Sequence, residues 1–143
     1  MRFGRQIAKK LKKGDILCLF GQLGSGKTVL VKGIAEGLGL KKKEVTSPSF
    51  VLIREYPRGK LPLFHFDLYR LDSLCEILPL GIDEYFYDDG VTVVEWADRL
   101  RKLSPDEYLK IELSVSSKMK RKLTLSACGR RYQELLGEIN EPR

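Results

Sequence analysis

Histidine, tryptophan and asparagine each occur once in the 143 residues, as His65, Trp96 and Asn140. A single imidazole excludes a multi-histidine metal centre built within one chain. Cysteine is scarce too: the three are Cys18, Cys75 and Cys128. Their spacing fits no zinc-ligand pattern, and an odd count does not close a disulfide framework. Cys18 lies in an apolar run and reads as a core residue. Long hydrophobic runs are also missing, since no stretch reaches the roughly 20 residues that span a bilayer. The basic opening, Met1–Lys13, is interrupted by charge where a secretory leader needs an apolar segment. These absences point to a soluble protein of a reducing compartment, the cytoplasm, with no membrane contact.

What is present suits a globular chain. Apolar residues make up 43% and charged residues 31%. A chain of this length is expected to form one domain, residues 1–143, burying about 68–70% of its unfolded surface. The formal net charge is +7, with dense basic runs at Lys9–Lys13, Lys41–Lys43 and Lys118–Lys122. Two readings follow: attraction to RNA or another polyanion, or the solvated surface of a protein rich in Lys and Glu.

Hydrophobic spacing orders the elements. Phe3, Ile7, Ala8 and Leu11 form one face of a short helix. Gly14 and Asp15 mark a turn, and Ile16–Phe20 is the continuous apolar run of a strand buried on both faces. Val31, Ile34, Ala35 and Leu38 predict a helix from about Lys27 to Leu38, with Gly37 and Gly39 at its end. Phe50–Tyr56 and Leu63–Tyr69 read as a hairpin turning at Arg58, Gly59 and Lys60. On the second strand, Phe64, Phe66 and Leu68 share one face, and His65, Asp67 and Tyr69 the other. Leu74–Leu80 reads as a short helix ended by Pro79. Val91–Val94 is a further buried strand. Two alternating runs, Leu109–Val115 and Leu123–Ala127, predict an antiparallel pair. Tyr132, Leu135, Leu136 and Ile139 stripe a C-terminal helix.

Between the first strand and the first long helix lies Gly21-Gln22-Leu23-Gly24-Ser25-Gly26-Lys27-Thr28, a match to G-x-x-x-x-G-K-[ST]. Glycines let the backbone approach phosphates closely, and successive N–H groups and the helix N-terminus favour the anion. Lys27 would reach the β- and γ-phosphates, and the Thr28 hydroxyl would bind Mg2+. Such a loop works with a carboxylate at the end of a neighbouring strand. Glu95, closing Val91–Val94, is the first candidate and Asp67 the second. Between them they could hold metal and position water. The competing, less favoured reading makes Glu95 a surface acid at a strand end and Asp67 a structural partner of His65 or Arg70. Trp96 reads as a packing residue. Thr46-Ser47-Pro48-Ser49 is either a switch-like segment or a plain polar connection.

In this order the pieces resemble the TsaE (YjeE) family, bacterial ATPases needed to make threonylcarbamoyladenosine in tRNA. The resemblance rests on Leu23–Thr28, Thr46–Phe50, His65-Phe66-Asp67-Leu68-Tyr69-Arg70-Leu71, Gly81–Tyr85 and Val94-Glu95-Trp96, and covers about residues 5–100. It implies a three-layer α/β P-loop fold with a mixed central sheet and flanking helices. It implies ATP and magnesium as cofactors, with Leu23, Gly24, Ser25, Gly26, Lys27 and Thr28 on the nucleotide. Thr28 and Glu95 become magnesium contacts, Asp67 a residue needed for hydrolysis, and Thr46–Phe50 the switch-like segment. Arg130, after the last strand, is a candidate for contact with the base. The implied partners are TsaD and TsaB, with tRNA engaged indirectly through their complex. Departures from the family pattern are Gln22, Ser25, Ser49 and Ala97. The family usually has a strand before the first helix, so reduced nucleotide affinity or a trimmed start is expected here. The alternatives are a small-molecule P-loop kinase, for which no lid insertion is evident, and a GTP-binding switch. The N-K-x-D motif of the latter is missing, because the single Asn is Asn140. A non-catalytic RNA-binding module is suggested by charge alone.

Overall fold

A computed structural model describes residues 2–21, 26–40, 53–57, 59–69, 71, 73–86, 89–115 and 121–140. Leu23, Gly24, Ser25, Gln22 and the Thr46–Phe50 segment lie outside the described residues.

Five apolar residues in a row, Ile16–Phe20, form β1 at the middle of the sheet. They are apolar without alternation because both faces of β1 are covered. The chain begins with α1 (Arg2–Ala8) and passes through β1 into α2 (Lys27–Gly37). The hairpin follows as β2 (Ile53–Tyr56) and β3 (Leu63–Asp67), antiparallel as its pattern predicts. Next come α3 (Leu74–Ile77), a 3₁₀ turn (Leu78–Leu80), α4 (Ile82–Tyr85) and β4 (Val91–Glu95). A second 3₁₀ segment (Ala97–Leu103) leads to the antiparallel pair β5 (Tyr108–Val115) and β6 (Arg121–Cys128), and α5 (Arg130–Asn140) closes the chain.

The six strands lie in the order β2-β3-β4-β1-β5-β6. The four inner strands, β3, β4, β1 and β5, are parallel, and an antiparallel strand flanks them on each side. Side chains alternate between two cores. Leu17, Leu19, Leu63, Val91, Val93, Leu109 and Ile111 face Ile7, Leu30, Ile34 and Leu135 of the helices α1, α2 and α5. Ile16, Cys18, Phe66 and Val94 face Ile77, Ile82 and Leu100 on the other side. The result is the three-layer α/β arrangement with a mixed sheet.

Close backbone approach sets how α1 lies on α2. A Cβ at Gly4 would meet the Leu30 carbonyl oxygen at 2.8 Å, and one at Gly37 would meet Arg5 O at 2.9 Å. Neither contact can relax by moving a side chain, so both crossings call for glycine.

Two local expectations change. Pro79 does not end the helix that starts at Leu74. The helix tightens into the 3₁₀ turn, where Pro79 sits in the first turn and no intrahelical N–H is missed. Gly81 then turns left-handed at φ 62° to start α4. The strand expected to reach Tyr69 stops at Asp67. Leu68 N–H still donates to Glu95 O at 3.2 Å, but Tyr69 N–H turns back to Asp67 Oδ1 at 3.0 Å. The 3₁₀ segment after Trp96 carries Ala97, Leu100 and Leu103 at a spacing of three, the period of that helix, and packs them on the second core.

Candidate functional site

Parallel pairing brings three strand ends to one edge of the sheet. Leu19 of β1 lies beside Glu95 of β4, and Glu95 lies beside Asp67 of β3. The chain leaves β1 at the same edge and returns as α2, so Lys27 and Thr28 open that helix above the two carboxylates. Gly26 makes the entry: its φ of 99° is left-handed, a conformation glycine adopts without steric cost. Lys27, Thr28, Asp67 and Glu95, chosen from sequence, therefore gather in one place.

Lys27 is nearly buried, at 5% exposure. Its ammonium donates to Gly21 O at 2.5 Å and lies 4.2 Å from the centroid of the Trp96 ring. Burial pushes its pKa down, while the charges of Glu95, Asp67 and Asp98 push it up. Trp96 reaches this position with a left-handed backbone, φ 59° and ψ 44°. That costs a non-glycine residue on the order of 1 kcal/mol, offset here by the contact of its ring with the lysine. Tyr69 packs on the far side of Trp96, the ring centroids 4.9 Å apart. Trp96 was read as a packing residue; the contact with Lys27 depends on a backbone turn that spacing does not reveal.

Glu95 is buried and uses its two oxygens differently. Oε2 accepts from His65 Nε2 at 2.5 Å, and Oε1 lies 3.4 Å from the Thr28 hydroxyl. The alternative partner of His65 named from sequence, Asp67, is not the one it takes. His65 sits opposite Val93, one pleat below the Asp67–Glu95 pair, and its ring reaches the diagonal neighbour on the same face.

Asp67 is half-buried. Burial pushes its carboxyl above the usual range and the nearby Glu95 adds to this, opposed by the Tyr69 N–H and by His65 and Lys27. A carboxyl with a raised folded-state pKa binds its proton more tightly folded than unfolded. The contribution of this group to stability is therefore fully present below the unfolded value, about 3.9, and is lost as pH rises through the folded value. Asp67→Asn keeps the acceptor for Tyr69 and removes the charge. It should raise the melting temperature by a few degrees at pH 7 and change it little at pH 3, as parallel thermal melts would show. Equal melting at pH 7 would mean the charge is not held at a cost.

Thr28 and Glu95 also suit magnesium. Among the described residues no group of three or more His, Cys, Asp or Glu side chains is arranged to hold a metal. Mg2+ does not need one, because it is commonly bound through one or two carboxylates, substrate phosphates and water. Neighbouring ligands on its octahedron lie about 3 Å apart, close to the 3.4 Å between Thr28 Oγ1 and Glu95 Oε1.

Arg130 is not part of this cluster. β6 ends at Cys128 opposite Tyr108, and Tyr108 precedes the residue that pairs with Leu17 near the start of β1. Arg130 thus lies at the opposite edge of the sheet, about 13 Å away along a five-residue strand. It is held there because Arg131 grips Asp15 through two hydrogen bonds, at 2.9 and 2.8 Å, and Ile16 N–H donates to Tyr132 Oη at 2.8 Å. Lys9, Lys12, Lys13 and Lys60 border a hollow of about 430 Å3 at that same far edge.

The family described as "Threonylcarbamoyl adenosine biosynthesis protein TsaE" matches residues 1–123. The chain belongs to the TsaE family. A tRNA threonylcarbamoyladenosine biosynthesis protein TsaE of Bacillus subtilis is 45% identical over 129 residues, covering 90% of this chain and 80% of the relative. Its counterpart in Treponema pallidum is 39% identical over 125 residues, covering 87% and 91%. A crystal structure of Bacillus subtilis YdiB superposes with a TM-score of 0.82 at 41% identity, covering 96% of this chain and 84% of that one. The TsaE match runs well past residue 100, where the motifs quoted from sequence stop. No helix among the described residues of this TsaE-family chain is long and apolar enough to cross a membrane.

Proposed function

We propose that this chain binds ATP with magnesium and hydrolyses it to ADP and phosphate, as the ATPase subunit of the assembly that makes threonylcarbamoyladenosine in tRNA. The observation that carries the reading is the convergence of Lys27, Thr28, Glu95 and Asp67 at one sheet edge, beneath the N-terminus of α2. Gly26 and the preceding Leu23, Gly24 and Ser25 would supply backbone N–H groups to the phosphates, and the start of α2 favours their charge.

Lys27 neutralises charge on the β- and γ-phosphates. Thr28 and Glu95 hold Mg2+, which when bound screens the phosphate charge and fixes its geometry. Asp67 orients the attacking water and accepts its proton. The raised pKa of Asp67 favours that role, since a base is most useful near the working pH. As in the family it resembles, the chain works with TsaD and TsaB in the cytoplasm and meets tRNA through them.

Isothermal calorimetry tests the first step. ATP should bind in the presence of magnesium, and excess GTP should not displace it. Phosphate release should be slow for the chain alone and rise when TsaD and TsaB are added. The absence of any magnesium-dependent heat with ATP would sink the binding reading. Hydrolysis unaffected by TsaD and TsaB would remove the partner reading while leaving nucleotide binding intact.

A further inference from the structure

His65 has no packing reason to be a histidine. It is fully buried in the middle of β3, where Leu63, Val91 and Val93 on that face are apolar, while Asp67 and Glu95 stand one pleat above it and Arg54 of β2 pairs beside it. Its Nδ1 is buried and has no hydrogen-bond partner among the described residues. Leaving a buried polar atom unpaired costs about 1–3 kcal/mol, and an aliphatic residue in the same slot would avoid that. What an aliphatic residue would not supply is the hydrogen bond from Nε2 to Oε2 of Glu95.

That bond decides where the rest of Glu95 points. The last torsion of a glutamate is broad and roughly two-fold, so a carboxylate left to itself samples many orientations. With Oε2 fixed by His65, Oε1 is turned toward the Thr28 hydroxyl, 3.4 Å away. In this contact Nε2 is the donor and Oε2 the acceptor.

We infer that His65 is a positioning residue: it clamps one oxygen of Glu95 so that the other faces Thr28 and the magnesium ion. It thereby sets how much magnesium strengthens ATP binding. The inference rests on the reading of Glu95 as a metal-holding group. His65 itself touches neither metal nor nucleotide.

Two amide variants separate positioning from packing. In glutamine the side-chain nitrogen is as many bonds from Cα as Nε2 of histidine; in asparagine it is one bond closer, matching Nδ1. The readout is the ratio of ATP affinity with Mg2+ to ATP affinity in EDTA, measured by calorimetry, with no turnover required. In His65→Asn the gain from magnesium should shrink by about 10–100-fold, the usual effect of losing an outer hydrogen-bond partner of a metal ligand. Metal-free ATP affinity should stay at the wild-type value. In His65→Gln the gain should be largely kept. Where His65→Asn does not fold, His65→Met fills the slot without a donor and should show the same loss. A wild-type gain in His65→Asn or His65→Met, or a loss in His65→Gln as large as in His65→Asn, overturns the inference. A wild-type protein that gains nothing from magnesium instead overturns the reading of Glu95, so the two failures are distinguishable.

Discussion

Lys27→Met is expected to weaken Mg2+-ATP binding by about 10²–10³-fold. A hydrogen bond to a charged group contributes about 1.5–3 kcal/mol, and the ammonium would serve two phosphates, so roughly 3–4 kcal/mol is lost. The substitution keeps an unbranched stem beside Trp96 and removes the charge together with its hydrogen bond to Gly21 O and its contact with the Trp96 ring. That charge is poorly solvated, because the residue is 5% exposed and burial lowers its pKa. Relief of the buried charge opposes the loss of those two contacts, so the melting temperature without nucleotide should change by only a few degrees, which separates lost binding from lost folding. Calorimetry and thermal melts on the same preparation give both quantities. Wild-type affinity in the variant would take Lys27 out of the site.

Glu95→Gln should lower the hydrolysis rate at saturating ATP by about 10²–10³-fold, the scale expected when one group stabilising transition-state charge is removed. Glutamine keeps an acceptor for His65 and nearly the same volume, so the fold is retained. Alanine is the wrong choice. It would leave the imidazole buried with neither nitrogen partnered, and each buried polar group left unsatisfied costs about 1–3 kcal/mol, enough to confuse stability with chemistry. The measurement is phosphate release across a magnesium titration. Lost rate that excess magnesium partly restores fits a metal-holding carboxylate. An unchanged rate at low magnesium would exclude it.

Elements with strong periodicity were legible in the sequence. β1, β4 and β5 follow from apolar runs and alternation, and α2 and α5 from stripes at helical spacing. The cluster of Lys27, Thr28, Asp67 and Glu95 was legible because parallel strands place their C-terminal ends on one edge, so acids closing two apolar runs fall beside the phosphate loop. What stayed hidden depends on register and on backbone turns. The bond from His65 to Glu95 is diagonal across two strands, and only the pairing of His65 with Val93 reveals it. Trp96 over Lys27 needs a left-handed residue that no composition rule marks. Arg130 was drawn toward the base because it follows the last strand. The antiparallel return of β6 carries it to the other edge, where Asp15, Arg131 and Tyr132 fix the start of α5.

Those last contacts have a consequence for how the protein is made. Asp15 and Ile16 are joined to residues 116 positions later in the chain, and β1 lies between β4 and β5, both synthesised after it. Domains fold as units while synthesis proceeds from the N-terminus at about 5–20 residues per second. The strand that carries the phosphate loop must therefore wait several seconds on the ribosome, first for its neighbours and then for Tyr132. A nascent chain stalled before α5 would carry the phosphate loop, Asp67 and Glu95 but lack the contacts that fix Asp15 and Ile16 where β1 begins.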